Sequence, residues 1–509
     1  MSTPAFMGVR FVDSTPQGLK DLIGSYDIPF SASMNLDVAK PGEDGIRFTW
    51  IYVLVSPFPT VKDGVTSDEI RSLWTKGGTP LLMAESTLGA FTAIWGEPAP
   101  GSVRSVPVEQ LLDTAWTESA WAIVPFESLD PKWKVLTVDG QSPIRKNFDA
   151  ANYPLIVDFA LEPAEIVDSS SWTLTNYNPA KLTTIIMTGV TALVRATAVT
   201  MELKGSTYPG EKMRDVFREA DIMHVSNEIP FFTGCPYPKP DAGALVFCSD
   251  PKYMDLLIDI GTDVIELTGN HFADYGPNAM YETLDIYRAN NLPYFGGGQD
   301  LQDSLKPALF EVNGNKIAFV GCNKPDMNRF PTATDFQPGA APCNFEYLPQ
   351  MINSLKAQGY VVISTFQWNE SYDYLPAPEQ RNDFRLMADS GASIVSGSQA
   401  HYAQMMEFHG DSFIHYGLGN LFFDQMGDQD WMPPGIRRLF FDRYVIYDGE
   451  LVGVELITAM LEDYSRPRIM TDEERAGFLQ EYFYYSGWTP FAPTPTPAIT
   501  PTLTPMSIP

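Results

Sequence analysis

Short apolar runs alternate with amphipathic stretches along most of this chain. TTIIMTG, DIMHVSNE, TDVIELTG, GNKIAFVGCN, GYVVISTFQ, ASIVSG and DSFIHYGLGN concentrate branched and aromatic residues over a few positions, which predicts buried strands. Between them, PNAMYETLDIYRANN has Pro near its start and EQRNDFRLMADSG has Gly just past its end, as helices do. YVIYDGELVGVELIT predicts a hairpin turning at Asp448–Gly449. Such alternation of strands and helices predicts a layered α/β fold. Nearer the N-terminus, RFTWIYVLVSPFPTV predicts a buried strand with its exit turn. VTSDEIRSLWTKG predicts a helix opened by Thr66 or Ser67 ahead of Asp68 and Glu69. ESAWAIVPFESLDPKWKVLTVDG then alternates apolar runs with Pro and Gly breaks. Two α/β units follow, 1–175 and 181–488, joined near the polar loop SSSWTLTNYNPA. The uncharged, Pro- and Thr-rich stretch 489–509 predicts an extended spacer.

Composition sets bounds. At roughly 150 residues per domain, 509 residues make two to four domains. A net charge of −29 argues against nucleic acid as a partner, because phosphates recruit Lys and Arg. It argues equally against electrostatic attachment to an anionic membrane. The four cysteines form two local pairs, Cys235 with Cys248 and Cys322 with Cys343, around loops rich in Pro and Gly. Neither pair has the CxxC spacing of a zinc or redox site. Two disulfides are favoured over unpaired buried thiols, each contributing about 3 kcal/mol. Disulfides in turn imply an oxidising compartment. MSTPAFMGVR has neither the basic start nor the apolar core of a signal peptide, and the apolar run near 185–194 stops at Arg195. No transmembrane segment is therefore expected. Export to the cell envelope or medium is expected from the cysteines and the tail, with the leader absent from this sequence.

Candidate chemistry gathers where strands end. All five histidines lie between 224 and 415, inside the second unit. Arg195 follows the first strand of that unit, and Glu228 stands in VSNEIPF. Asn270, His271 and Asp274 stand in TGNHFAD, and Gln367 and Glu370 in STFQWNES. Gln399 and His401 stand in SGSQAHYAQ, and His415 and Asn420 in FIHYGLGNLFFDQ. Ligands of open α/β sheets collect outside the carboxyl ends of strands, so recurrence at several ends points to one shared pocket.

Five of these segments together resemble the CapA family of bacterial poly-gamma-glutamate capsule biosynthesis proteins, a branch of the calcineurin-like metallophosphatase fold. TGNHFADYG is similar to its Asn-Asn-His…Asp-Tyr-Gly block and SNEIP to Asn-Leu-Glu-Gly-Pro. STFQWNESY resembles Ser-x-His-Trp-Gly with a following acid, GSQAHYAQ resembles Gly-His-His-Pro-His-x-x-Gln, and IHYGLGNLFFDQ resembles the closing Tyr-Ser-Leu-Gly-Asn-Phe-x-Phe-Asp block. The resemblance spans roughly 181–488. It implies a metallophosphatase-like αββα sandwich, preceded by a smaller α/β unit that resembles part of a periplasmic solute-binding domain. Against the family pattern, Val190 stands where an Asp ligand is expected, Gln367 replaces a histidine, and Ser398 and Gln399 replace a histidine pair. Amides are poor ligands for transition metals. Glu228, Asn270 and His401 survive as metal-ligand candidates, which implies either no metal or a single divalent ion.

Without a metal, His271 and Asp274 can form an acid/base pair if the loop turns helically, with Glu228 and His401 as further catalytic candidates. Arg195, Gln367, Glu370, Gln399 and Asn420 are candidates for holding substrate. Structural readings compete with these. Asn270 can cap a turn, Asp274 can cap the following helix, His401 can be a satisfied core histidine, and Arg195 can merely neutralise Glu228. His224 reads as packing and His409 as a turn residue. The resemblance implies an exported protein of capsule or poly-gamma-glutamate biosynthesis, a hydrolase or transferase acting on an anionic polymer. The alternative is a non-catalytic polymer-binding or assembly protein with a degenerate metal site. Other envelope biosynthesis proteins are candidate partners.

Overall fold

The structure is a computed structural model. It describes residues 8–29, 33–42, 44–164, 167–240, 245–324, 331–427 and 435–489. The expected spacer from 490 onward lies outside the described residues.

The second unit is built on two sheets. In one, Tyr294–Phe295, Val264–Glu266, Ile222–Asn227 and Leu182–Met187 run parallel, and Arg438–Tyr447, Glu450–Glu462 and Arg466–Ile469 continue it antiparallel. The short strands Val190–Thr191 and Asn420–Phe422 extend it where its parallel strands end. In the other sheet, Asn315–Asn323, Tyr360–Gln367, Ile394–Ser396 and Ser412–His415 run parallel. Ala308–Val312 and Met406–His409 flank them antiparallel.

The two-residue period of each strand sorts its side chains between layers. Ile185 and Met187 point inward and pack with Ile317, Phe319, Ile363 and Ile394 of the facing sheet. Ile186, between them, points outward to Ala198 and Met201 of the helix Arg195–Lys204 and Leu284 of the helix Gly276–Ala289. On the far side, Ala318 and Val320 meet Leu348 and Ile352 of Tyr347–Ala357 and Phe384 of Pro378–Asp389. The result is a helix–sheet–sheet–helix sandwich, as expected. The hairpin turn at Asp448–Gly449 has both residues in the left-handed region, with φ of 51° and 86°, the geometry that Asp-Gly accommodates.

The main sheet of the first unit is mixed, in the order Gly8–Phe11, Ser33–Val38, Ile156–Glu162, Ile46–Pro57, Ala122–Pro125, Leu81–Met83 and Val103–Ser105, with Trp133–Val135 also paired to Ile46–Pro57. Its helix Ser67–Lys76 opens on a capping box, in which Thr66 and Glu69 satisfy each other's backbone N–H. Phe58, just beyond the long strand Ile46–Pro57, leaves this unit and packs edge-on against Phe408, Phe483 and Trp488 of the second. Both expected disulfides are present, Cys235–Cys248 and Cys322–Cys343. Among the described residues, no helix is long and apolar enough to cross a membrane.

Candidate functional site

Parallel strands of both sheets end on one side of the sandwich, and their exit loops bring the candidates together. Glu228 follows Ile222–Asn227, while Asn270 and His271 follow Val264–Glu266. His401 lies beyond Ile394–Ser396, and Asn420 opens Asn420–Phe422. The turn TGNH approaches so closely that a Cβ on Gly269 would stand 2.5 Å from the Glu228 backbone. Glycine is therefore required there, and the approach sets the two exit loops against each other.

Two imidazole–carboxylate pairs result. His271 Nδ1 lies 2.6 Å from Asp274 Oδ2, and the Asp274 N–H donates to the His271 carbonyl at 3.1 Å, so the loop does turn helically. Asp274 also accepts from the Phe247 N–H at 2.8 Å. It does not cap the helix Gly276–Ala289, whose cap position is Tyr275. In the second pair, His401 Nε2 is 3.6 Å from Glu228 Oε1 and 4.0 Å from Glu370 Oε1. Burial alone would lower the His401 pKa, but Glu228, Glu370 and Asn420 together push it up to about 9. Burial would likewise raise the Glu228 carboxyl, yet His401, His271 and Arg195 hold it below its ordinary value.

His401 is further fixed by a relay. Its Nδ1 lies 2.8 Å from Asn420 Oδ1, Asn420 donates to Gln425, Gln425 donates to the Tyr372 hydroxyl, and that hydroxyl donates to Glu370. Arg195 does not neutralise Glu228 directly. Its planar fork closes on Asp424, with Nε donating to Oδ2 at 3.0 Å and Nη2 paired to Oδ1. Its guanidinium also sits between Phe247 and Phe423, 5.0 and 5.4 Å from the ring centres. Arg195 has φ 45°, a strained value for a side-chain-bearing residue.

The remaining candidates divide. Gln367 ends its strand with Oε1 buried and without a hydrogen-bond partner, as are both amide atoms of Gln399, Asn270 Oδ1 and both oxygens of Glu228. The unpartnered Asn270 oxygen does not cap a turn. His415 belongs to the interior, where Nδ1 lies 2.6 Å from Asp442 Oδ2 and both side chains are fully buried. His409 flanks the turn at Gly410 and contacts Asp389. His224 does more than pack. Its Nε2 lies 3.1 Å from Glu266 Oε2, and Glu266 accepts from Thr268 and Ser398, so a polar bridge joins the two sheets beneath the pocket. Asp424, Gln425 and Glu266 were not singled out from the sequence, and Tyr372, in WNESYDY, reads there as a loop anchor rather than a sugar platform. Asp424 and Gln425 nevertheless lie inside the FFDQ segment, and Glu266 is a lone acid in an apolar strand run.

The family resemblance implies a divalent metal, and the donors at the expected ligand positions do not fit one. Val190, at the position of the expected carboxylate, is fully buried beside Ile229, Phe247 and Phe423. Gln367, Ser398 and Gln399 stand where imidazoles are expected. Among the described residues, no group of three or more His, Cys, Asp or Glu is arranged to hold a metal ion.

A two-sheet αββα sandwich with its polar residues at the strand exits is the architecture that the resemblance to calcineurin-like metallophosphatases implies. Residues 184–425 match the family model described as bacterial capsule synthesis protein PGA_cap. Over those residues the second unit is similar to the CapA family of capsule synthesis proteins. The PGA biosynthesis protein CapA of Bacillus subtilis is 30% identical over 225 residues, which cover 44% of this chain and 59% of that protein. The capsule biosynthesis protein CapA of Bacillus anthracis is 30% identical over 171 residues, covering 33% of this chain and 41% of that protein. The chain therefore spans about half the length of these curated relatives. Among solved structures, the NAD nucleotidase of Haemophilus influenzae aligns with a TM-score of 0.32 and 11% identity. That alignment covers 59% of this chain and 55% of that one.

Proposed function

We propose that this chain is an exported protein of capsule or poly-gamma-glutamate biosynthesis that hydrolyses or transfers an amide bond of an anionic polymer by proton transfer between its own side chains. The observation that carries this reading is the pair of imidazole–carboxylate contacts, His271–Asp274 and His401–Glu228, at neighbouring strand exits. Glu228, whose oxygens accept no hydrogen bond and whose partner is the His401 ring at 3.6 Å, suits a base that takes a proton from the attacking water or amine. His401 suits the donor to the departing nitrogen, and Asp274 suits orientation of the His271 ring. The two disulfides support export.

A second reading, a polymer-binding or assembly protein with a retired metal centre, is favoured by Val190, Gln367 and Gln399 at expected ligand positions. Incubation with gamma-linked glutamate oligomers in the presence of EDTA separates the two. The enzyme reading expects cleavage or chain transfer that survives the chelator and is lost in Glu228→Gln and His271→Ala. Binding without turnover supports the second reading, and turnover unaffected by both substitutions overturns the first.

A further inference from the structure

At the opposite end of the sheet from Glu228, where strands begin, the two units line an open cleft of about 290 Å³. Its walls carry Arg145 and Lys146 from the first unit and Arg218, Arg443 and Glu219 from the second. The whole chain has 34 basic and 63 acidic residues, yet this lining has four basic side chains and one acidic. Chance placement on so acidic a molecule would give the reverse bias.

Neutralisation from outside the cavity is incomplete. Arg145 takes one oxygen of Glu455 through Nε and Nη2, at 3.0 and 2.7 Å. Arg443 shares the other oxygen at 3.3 Å, so two guanidiniums lean on one carboxylate. Lys146 pairs with Asp221 at 2.8 Å, and Arg218 reaches Asp259 at 3.6 Å. Arg443 is 4% exposed, and its remaining partner is Glu219 at 3.2 Å, a side chain 63% exposed. A buried guanidinium is thus completed by a carboxylate that lies mostly in solvent and can swing away at small cost. Guanidinium forks match carboxylates in geometry as well as charge.

The geometry points to this cavity as a carboxylate-binding site for the acidic polymer, with Glu219 standing in for a polymer carboxylate until one displaces it. The inference rests on the proposed function for the identity of the polymer, and it adds a holding site remote from the reacting bond. Polymer held there touches both units at once, which gives the first unit a part in substrate recognition.

The test is fluorescence anisotropy at low salt with two labelled probes, a gamma-linked glutamate oligomer and an alpha-linked polyglutamate of equal length. The double variant Lys146→Ala/Arg218→Ala removes two exposed cations and is expected to weaken binding of the gamma-linked probe about tenfold. Glu219→Gln removes the internal competitor and is expected to tighten binding about threefold. Wild-type binding that neither substitution changes overturns the site and leaves the proposed function standing. Binding of the alpha-linked probe alone, lost in the double variant, supports the site and overturns the gamma-glutamyl reading. Failure of the wild type to bind either probe overturns both.

Discussion

Glu228→Gln tests the central pair most sharply, because it removes the charge that keeps His401 protonated while preserving shape. His401 is 5% exposed, and its pKa is raised from an ordinary 6.5 to about 9. A histidine raised in the folded state contributes stability that is fully present below its unfolded pKa and is lost as pH rises through the folded one. Applying linkage to 6.5 and about 9 gives about 3 kcal/mol at pH 5, about 2 to 3 kcal/mol at pH 7 and well under about 1 kcal/mol at pH 9. In Glu228→Gln the largest stabiliser of the charged ring is gone, burial opposes the weaker help of Glu370 and Asn420, and most of this contribution is expected to disappear. Urea unfolding of both proteins between pH 5 and pH 9 reads the effect directly. The variant is expected to be less stable by about 2 to 3 kcal/mol at pH 7, with the two curves converging toward pH 9. A difference that does not change with pH, or a His401 ring that titrates near 6.5 in the wild type by NMR, refutes the reasoning.

Glu407 supplies a contrasting acid-side test. Burial would raise its carboxyl, but hydrogen bonds from Arg385, Arg381 and Tyr416 bring it from 4.5 to about 2. Its contribution is therefore present above pH 4.5 and lost as pH falls toward 2. Glu407→Gln is expected to cost about 2 to 3 kcal/mol at pH 7 and little at pH 2, and parallel acid-unfolding curves would contradict this. Val190→Asp restores the expected carboxylate inside an apolar wall. The variant is expected to lose several degrees of thermal stability and to regain part of them with Mn²⁺, while the wild type gains none. Equal stabilisation of the wild type by Mn²⁺ would show that the existing donors already hold a metal.

What the sequence revealed was mostly local. The Asp448–Gly449 turn, the Thr66–Glu69 capping box and the His271–Asp274 contact each depend on residues within a few positions, where backbone geometry nearly decides the outcome. The layered fold was legible for the same reason, since alternation along Leu182–Met187 already separates inward from outward side chains. Partners far apart in sequence were not legible. Arg195 was expected to hold substrate or, alternatively, to neutralise Glu228, and no local pattern marked the partner its fork meets, Asp424, 229 residues away. The His224–Glu266–Ser398 bridge forms only when two sheets close on each other, and no periodicity encodes which polar residue will face which. The relay through Asn420, Gln425 and Tyr372 likewise needs two loops to meet. The basic cavity was invisible because its cations come from three separate segments, around Arg145, Arg218 and Arg443, on a chain whose overall charge points the other way.

Phe58 makes the two units one mechanical object. Its ring is 3% exposed and is counted in the interior of a unit to which its own strand does not belong. Removing residues 1–175 would take that ring away and leave an open apolar socket beside Phe413 and Phe483, a loss comparable to a large-to-small core substitution at about 3 to 5 kcal/mol. Inheritance of the second unit alone, as a detachable module, would therefore require a new plug for that socket, which ties the history of the first unit to the stability of the second.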